Sequence, residues 1–328
     1  MKEFLININD AGQRLDRFTV KAVPSLPSSL VQKYIRIKRI KVNGKGAKRD
    51  LKLVVDDVVQ MYINDEFFDV INEENAYLKI SDPSLGIIYE DDNIILMNKP
   101  VGLLCHGGTD KPAAAGKAAD THNTMITKVQ AYLYKTGEWR PREENSFTPA
   151  LCNRIDRNTS GIIIAAKNTE TLRIINEKLK LHEIDRYYLA VVHGKPKPPD
   201  AKLEGYIFKD AVKNRVYVTK NSRPGAKPAV MEYTTVESAE KLSLLECRLI
   251  TGRTHQIRAQ LAAAGHPILG DSKYGNGTLD RPYGEKKQAL CSYKLVFSFK
   301  TDAGILEYLS GQSFELRGGA IAKRFQIS

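Results

Sequence analysis

Cysteine and long apolar segments are scarce in this sequence. Its 328 residues include four cysteines, Cys105, Cys152, Cys247 and Cys291, and no two of them form a CxxC pair. This spacing argues against a zinc site or a disulfide framework and predicts reduced, mostly buried thiols. No apolar run reaches the length of about 18 residues that would span a membrane, and the N-terminus lacks the layout of a secretion signal. We therefore expect a cytoplasmic protein without a membrane partner.

Basic residues outnumber acidic residues in this sequence. The chain has 38 Asp and Glu against 50 Lys and Arg, which gives a formal net charge of +12. Such a balance favours polyanionic partners, because each phosphate contact made by Lys or Arg releases counterions. Residues 1–62 hold 13 basic against 6 acidic residues, whereas residues 63–92 hold 9 acidic residues and one lysine. This change of sign predicts a small basic domain at 1–62, an acidic linker at 63–84 and a large domain at 85–328.

The basic segment has the pattern of a small α+β module. RLDRFTVKAV and PSSLVQKYIRIKR predict two short helices, and IKVNGKG predicts short strands around a glycine-containing turn. The basic residues gather on the second helix and the turn after it, so we expect an RNA-binding face rather than an ordinary solvated helix. The residues that we expect to bind RNA are Lys33, Arg36, Lys38, Arg39, Lys41 and Lys45.

This segment resembles the alpha-L RNA-binding domain over about residues 12–62. The resemblance rests on RLDRF, on SSLVQKYIRIKRIKVNGK and on the closing DDVVQMYI. Asp56 stands where that ending usually has glycine, a minor departure because Asp can also form a turn. The resemblance implies a module that holds RNA by its shape and phosphates.

The large domain alternates strands with a few helices. LGIIYEDDNIILMNKPVG predicts two strands around an Asp-Asp-Asn turn, and GIIIAAK and YYLAVVHG predict two more. Helices are expected near Met125 to Tyr134 and over TETLRIINEKLKLHEI, residues 169–184. Because strands outnumber helices, the predicted class is α+β, with a mostly antiparallel sheet and flanking helices.

Three separated segments of this domain concentrate polar residues among apolar strands. They are NRIDRNTSG at 153–161, RYYLAVVHG at 186–194 and LITGRTHQIRAQLAAAGHPILGD at 249–271. Together with YEDDNIILMNKPVGL they resemble the RluA/RluC/RluD family of pseudouridine synthases across roughly residues 85–310. The resemblance implies an isomerase that breaks the N1–C1′ bond of uridine in structured RNA and rejoins C5 to C1′. Large-subunit ribosomal RNA is the expected substrate, and transfer RNA is the alternative.

The family's catalytic residues carry over to three positions of this sequence. Asp156 matches the catalytic aspartate, the nucleophile or base at the ribose, and must be ionised. Arg258 matches the arginine that pairs with it, since a nearby cation favours the charged carboxylate. Tyr188 matches the tyrosine that stacks on the target uracil, although Tyr187 beside it could be the aligned residue instead. Singly, each could be an ordinary turn, helix or core residue.

Two further arginines and two departures complete the resemblance. Arg154 matches an arginine that helps to flip the base, and Arg253 is expected to contact phosphate. Asn153 replaces the family's histidine, and Cys291-Ser292-Tyr293 replaces the usual Leu-His-Ala, which bears on packing and RNA choice. Lys99 and Pro100 match the family's Lys-Pro pair and are interpreted as structural support for the floor of the site.

The reaction needs no cofactor and no metal, and the sequence has no phosphate-binding glycine loop, zinc spacing or nicotinamide fingerprint. We expect a monomer. Two other function classes remain open. One is a non-catalytic RNA-binding ribosome assembly factor, which should have lost at least one of the three catalytic residues. The other is a glycoside hydrolase, which uses two carboxylates; its best-placed second acid, Asp271, lies in a segment that the family uses structurally.

Overall fold

The computed structural model describes residues 1–68, 76–107, 123–141, 143–210, 212–213 and 215–316. They form two compact units, each assembled from three stretches of the chain. The first comprises 1–84, 110–150 and 166–173, and the second comprises 85–109, 151–165 and 174–328. Part of the acidic segment at 63–84 and most of the small-residue loop after residue 107 lie outside the described residues. The division into domains at 62 and 84 stays a prediction.

Helices and strands alternate along the described chain. The helices are α1 (Leu15–Ala22), α2 (Ser28–Arg36), α3 (Met125–Thr136), α4 (Thr169–Lys180), α5 (Gln256–Ala263) and α6 (Gly277–Asp280). The strands are β1 (Lys2–Leu5), β2 (Ile40–Val42), β3 (Lys45–Gly46), β4 (Val58–Met61), β5 (Ile87–Glu90), β6 (Ile94–Lys99), β7 (Ala150–Leu151), β8 (Ser160–Ala166), β9 (Ile184–His193), β10 (Asp200–Asp210), β11 (Arg215–Thr219), β12 (Lys227–Ser238), β13 (Leu242–Leu249), β14 (Leu290–Phe297) and β15 (Ser313–Glu315). Short 3₁₀ helices lie at Asp65–Phe67, Ala76–Lys79, Arg281–Tyr283 and Gly304–Leu309.

Both predicted helices of the basic segment form, and they pack with a four-stranded sheet of order β1-β4-β2-β3. Their apolar faces supply buried residues such as Phe18 and Ile35 to one hydrophobic core. The β2–β3 turn has positive φ at both Asn43 and Gly44, as a two-residue hairpin turn with the twist of its strands requires. Asp56 has a φ of 70°, so it adopts the left-handed conformation that favours the glycine expected there.

The second unit is built on an 11-stranded sheet of order β11-β10-β12-β13-β9-β14-β8-β6-β5, with β15 beside β14 and β7 beside β8. The pairs from β11 through β14 run antiparallel, while β8 runs parallel to β14. This large, mostly antiparallel sheet with several helices confirms the predicted fold class at this level. Strand β9 lies between β13 and β14, so its side chains are positioned from both sides.

Two predicted boundaries are wrong. Helix α4 ends at Lys180 rather than continuing to 184, because His182 adopts a left-handed φ of 58° and the chain then turns into β9. Strand β8, predicted over GIIIAAK at 161–167, begins one residue earlier at Ser160, and Gly161 pairs with Ser292 on β14. Gly161 permits this because a Cβ at that position would lie 2.1 Å from the backbone oxygen of Ser292 on β14.

The sequence predictions about membrane spans and cysteines can be compared with the structure. Among the residues that the structure describes, no helix is long and apolar enough to cross a membrane. All four cysteines are free; Cys105 and Cys247 are buried, and Cys152 and Cys291 are partly buried.

Candidate active site

Asp156 lies in the loop that connects β7 to β8. Its backbone oxygen accepts a hydrogen bond of 3.1 Å from the N–H of Thr159, which closes a turn directly after the carboxylate. The Thr159 hydroxyl is held in turn by the side-chain amide of Gln288, at 2.9 Å. The polar Thr-Ser-Gly sequence therefore fixes the end of the loop, and the carboxylate remains partly exposed, at 26% of its side-chain area.

Arg258 meets this carboxylate from helix α5. Its Nη1 donates to Oδ2 of Asp156 at 2.7 Å, and the arginine side chain is 7% exposed. The predicted pairing of the two residues is therefore present, across about a hundred positions of sequence. This is the only hydrogen bond that the carboxylate accepts within the described part of the chain, so Oδ1 is left for another partner.

Asp271 holds the other side of the same guanidinium. Nε and Nη2 of Arg258 donate to its two carboxylate oxygens at 2.7 and 2.8 Å. Burial alone would lower the pKa of Arg258, but the Asp271 and Asp156 carboxylates outweigh it and raise that pKa. Burial alone would raise the pKa of Asp271, but the hydrogen bonds from Arg258 outweigh it and lower that pKa. Both groups are therefore charged at neutral pH.

Tyr188 projects from β9 into the same site. It is 5% exposed, and burial raises the pKa of its hydroxyl, with the nearby Ser292 hydroxyl acting in the opposite direction. Tyr187 takes no part in the site and instead lies beneath the ammonium of Lys294, 5.2 Å from its ring centroid. The structure thus brings Tyr188, and not Tyr187, to Asp156 and Arg258.

A cavity of about 280 Å³ opens beside these three residues. Arg154 lines it as an exposed side chain, and Arg253 lines it while its Nε donates to the backbone oxygen of Pro228 at 2.9 Å. The full lining consists of Cys152, Asn153, Arg154, Ile155, Asp156, Thr159, Leu179, Arg186, Tyr188, Leu249, Gly252, Arg253, Thr254, His255, Gln256, Ile257, Arg258 and Leu290. All five residues assigned to the site from the sequence therefore meet at one cavity.

His255 is a cavity residue that the sequence analysis did not identify. It precedes helix α5 with a left-handed φ of 53°, and its Nε2 lies 3.9 Å from Oδ2 of Asp156. Its Nδ1 is 2.9 Å from the hydroxyl of Tyr274, which also accepts the N–H of Val216 at 2.9 Å. Burial lowers the pKa of His255 to about 4. The imidazole is therefore neutral in ordinary buffers.

Arg186 also lines the cavity, two residues before Tyr188 on β9, and was likewise missed. Its Nε is buried without a hydrogen-bond partner among the described residues. Gly252 allows the guanidinium to approach, because a Cβ there would lie 2.8 Å from Nη1 of Arg186. The density of arginine and histidine in GRTHQIR and RYY was the one signal that could have pointed to these residues.

Lys99 supports the loop that carries Asp156, as expected. Its ammonium is fully buried and donates to the backbone oxygens of Pro100 and Leu103 at 2.9 Å and of Arg157 at 3.1 Å. Burial lowers the pKa of Lys99 to about 8, while Cys105 and Asp156 act in the opposite direction. Since Arg157 follows Asp156 directly, its hydrogen bond to Lys99 positions the loop. Lys99 does not line the cavity.

The basic residues of the first unit surround a separate groove of about 720 Å³. Lys33, Arg36 and Lys38 line it, and they are joined by Lys48 and Arg49. The other three predicted RNA-binding residues lie outside this lining. Two of them stack on tyrosines, Arg39 over Tyr34 and Lys41 over Tyr62. The third, Lys45, is exposed on β3.

Known proteins are similar to this chain in sequence and in fold. The family model described as RNA pseudouridylate synthase matches residues 93–263, which contain Asp156, Tyr188 and Arg258. The chain is 32% identical over 272 residues to a protein of Vibrio vulnificus named ribosomal large subunit pseudouridine synthase C, covering 82% of this chain and 79% of the relative. A protein of Escherichia coli K12 with the same name is 30% identical over 285 residues, covering 86% and 82%.

Solved structures agree at the level of the fold. Human RNA Pseudouridylate Synthase Domain Containing 4 superposes with a TM-score of 0.55 at 22% identity, covering 74% of this chain and 94% of that one. Human RNA Pseudouridylate Synthase Domain Containing 1 gives a TM-score of 0.51 at 17% identity, covering 75% and 96%.

The chain belongs to the RNA pseudouridylate synthase family, and within it to the RluA/RluC synthases. It is an RNA pseudouridine synthase, so the predicted isomerase is confirmed over the hydrolase and the non-catalytic alternative. The roles of the individual site residues stay predictions.

Proposed function

We propose that this synthase isomerises uridines of large-subunit ribosomal RNA, with Asp156 as the group that acts at the ribose. The substrate class follows from the names of the relatives, which span most of the chain. The observation that carries the catalytic assignment is the Asp156–Arg258 ion pair of 2.7 Å at the cavity, with Oδ1 of the carboxylate unoccupied by described donors.

The reaction moves one glycosidic bond and needs no second reactant. Asp156 acts at the ribose as nucleophile or base while the N1–C1′ bond breaks. The freed uracil turns within the cavity, and C5 bonds to C1′. The C5 proton is then lost and N1 is protonated, so that atoms and charge balance. One carboxylate suffices because no water is activated, and Asp271 is fully engaged with Arg258.

Arg258 and Tyr188 prepare the cavity for this step. The guanidinium fixes the direction of Oδ2 of Asp156, while Asp271 prevents the guanidinium from rotating away. Tyr188 offers an aromatic face on which the uracil stacks, and base stacking of this kind is worth about 1 to 3 kcal/mol. Burial raises the pKa of its hydroxyl and keeps the phenol neutral, so the hydroxyl can donate a hydrogen bond to the uracil.

Binding the target requires extruding a uridine from folded RNA, which costs a few kcal/mol. Arg154, exposed at the cavity, takes the place of the flipped base, and Arg253 holds a neighbouring phosphate. Residues 1–62 act as an alpha-L RNA-binding domain, with 63–84 as linker and 85–328 as the catalytic domain. The helix pair, the Asn43-Gly44 turn and the groove lined by Lys33, Arg36 and Lys38 support this assignment. The enzyme works as a cytoplasmic monomer.

Comparing RNA from cells with and without the gene tests this proposal. We expect at least one pseudouridine to disappear from large-subunit ribosomal RNA while transfer RNA is unchanged. Purified enzyme should restore it in transcribed ribosomal RNA, and Asp156→Asn should abolish product without weakening RNA binding. A loss confined to transfer RNA would overturn the substrate assignment, and a loss of RNA binding equal to the loss of product would overturn the role of Asp156.

A further inference from the structure

The backbone conformation and hydrogen bonding of His255 hold its side chain in a defined position beside Asp156. Residues other than glycine with positive φ are uncommon, and such strain often marks functional positions. The left-handed backbone at His255 places its ring between the hydroxyl of Tyr274 and the carboxylate of Asp156. The ring is 13% exposed and lines the catalytic cavity.

The hydrogen bonds around Tyr274 fix which nitrogen of His255 carries the proton. The Tyr274 oxygen already accepts the N–H of Val216, at 2.9 Å. Its own proton needs an acceptor, because Tyr274 is 8% exposed, and Nδ1 of His255 is the acceptor found within the described residues. A neutral imidazole that accepts at Nδ1 must be protonated at Nε2. An N–H donor therefore faces the cavity beside Asp156.

The distance from this donor to Asp156 is informative. At 3.9 Å, Nε2 and Oδ2 are too far apart for a hydrogen bond, which ends near 3.5 Å. An oxygen at about 2.8 Å from both atoms would fit between them and complete both bonds. That oxygen must accept from Nε2–H and donate to the carboxylate, so it belongs either to a hydroxyl group or to water.

An internal nucleotide of RNA has one hydroxyl, the 2′-OH. Its 3′ and 5′ oxygens are phosphodiesters, and the uracil offers carbonyls that only accept and an N3–H that only donates. Because Asp156 acts at C1′, the 2′-OH on the adjacent carbon is also the nearest polar group of the ribose. We propose that His255 and Asp156 together bind the 2′-hydroxyl of the target nucleotide, so that His255 selects ribose over deoxyribose.

This inference rests on the proposed role of Asp156 and adds a contact by which the site distinguishes RNA from DNA. It is tested with two stem-loops that contain the modified site and differ only in having uridine or 2′-deoxyuridine at the target. Both carry tritium at C5, so that its release reports the new bond. The measured quantity is the ratio of kcat/KM between the two substrates.

Two variants of His255 separate the cavity-facing donor from the rest of the ring. His255→Asn suits a positive φ and still reaches Tyr274, but it removes the donor at the Nε2 position. His255→Gln restores an amide donor near that position. We expect His255→Asn to slow the uridine substrate about 5- to 10-fold, the value of one hydrogen bond, and to leave the deoxyuridine substrate unchanged. His255→Gln should recover part of the discrimination.

His182→Asn is the matched control, because His182 also has a positive φ, is exposed and lies outside the cavity lining. It should leave both substrates unaffected. A discrimination ratio in His255→Asn identical to that of the wild type would overturn the proposal. An equal loss on both substrates would then mean that His255 supports the site as a whole, and no loss on either would mean that water occupies the gap.

A second variant keeps the inference testable if His255→Asn does not fold. Tyr274→Phe retains the ring but frees Nδ1, so protonation at Nε2 is no longer enforced and the ratio should fall. Long-range ¹H–¹⁵N spectra should show His255 protonated at Nε2 in the wild-type protein and as a mixture of tautomers in Tyr274→Phe. Protonation at Nδ1 in the wild type would refute the proposal. The comparison can use any stem-loop that the wild-type enzyme converts. Its outcome therefore does not depend on whether the natural substrate is ribosomal RNA.

Discussion

Arg258 and Asp271 form a bidentate ion pair, with Nε and Nη2 of the arginine 2.7 and 2.8 Å from the two carboxylate oxygens. Asp271 is essentially without exposed side-chain area and also accepts the backbone N–H groups of Lys273 and Tyr274. The guanidinium is thereby fixed in its plane, and only Nη1 is directed at Asp156. The carboxylate of Asp156 is oriented through two links, Arg258 and, behind it, the fully buried Asp271.

Arg258→Lys should therefore fail in both roles. An ammonium is a point donor and cannot bind Asp271 in a fork while also reaching Asp156. Breaking a buried pair of this kind lowers the free energy of unfolding by about 3 to 5 kcal/mol, because a charge is left uncompensated. The free energy of unfolding measured in urea and the turnover of transcribed RNA should both decline.

The matched control for that change is Arg248→Lys. Arg248 donates through Nε and Nη2 to Asp185, but its side chain is 40% exposed. Exposed pairs contribute below about 1 kcal/mol, so stability and turnover should hardly change. A comparable loss of stability and turnover in both variants would mean that the burial and orientation of Arg258 do not determine how much its ion pairs contribute.

Asp271→Asn tests orientation separately from charge at the reacting centre. The amide keeps the volume of the side chain but loses one acceptor for Arg258, so the guanidinium can tilt away from Asp156. We expect a lower kcat with an unchanged KM, since the Asp271 side chain has no exposed area through which RNA could reach it. A rise in KM with kcat preserved would contradict a positioning role, and Asp185→Asn, in the pair with Arg248, provides the comparison.

The site illustrates what the sequence could and could not predict. Asp156, Tyr188 and Arg258 were found because they occupy motif positions in three separate segments, and the structure brings them to one cavity. His255 stands three residues before Arg258 in the same motif, yet its importance depends on a backbone torsion and on Tyr274, which is 19 residues further along. Neither is encoded in a local pattern.

The fold shows the same division. Helices α1 to α4 were predicted from their sequence segments, whereas α5 and α6 were not, and the turn at Asn43-Gly44 followed from its residues. The order of strands did not, because nothing local specifies that β9 inserts between β13 and β14. The end of α4 was also missed, since no glycine or proline marks the left-handed turn at His182.

The depressed pKa of His255 predicts how stability changes with pH. Its value is about 4 in the folded protein, against an ordinary value of 6.5, with burial as the largest cause. Between these values the unfolded chain binds a proton that the folded chain does not. Lowering the pH through this window therefore destabilises the protein. Urea unfolding at pH 7.5 and pH 5 should show a smaller decline for His255→Asn than for the wild type; equal declines would place the titration elsewhere.

Gly161 should tolerate no side chain. It has a φ of 116°, and a Cβ would lie 2.1 Å from the backbone oxygen of Ser292, where β8 pairs with β14. Gly161→Ala must push the two strands apart, so we expect a loss of at least about 3 kcal/mol in stability, measured by thermal or urea unfolding. Gly137→Ala, at a φ of 80° with nothing within 4 Å, isolates the backbone strain and should lose only about 1 to 2 kcal/mol. Similar losses of stability in the two variants would mean that the strands at Ser292 can move apart with little loss of free energy.

The groove on the first unit should govern the salt dependence of RNA binding. Lys33, Arg36 and Lys38 are exposed along it, and replacing all three by Gln removes charge without touching the buried core formed by residues such as Phe18 and Ile35. If each contacts one phosphate, the slope of log affinity against log salt concentration should become shallower by about 2. Filter binding of transcribed ribosomal RNA over a range of salt concentrations measures this.

The control for that experiment removes the same charge from elsewhere, by replacing the exposed Lys195, Lys197 and Lys241 with Gln. A slope that changes equally in both triple variants would show that only net charge matters. A slope that changes only in the groove variant, with kcat on saturating RNA preserved, would assign this surface to RNA binding. Because the catalytic residues keep all their contacts, a fall in kcat at saturation would instead mean that the groove acts on the chemical step.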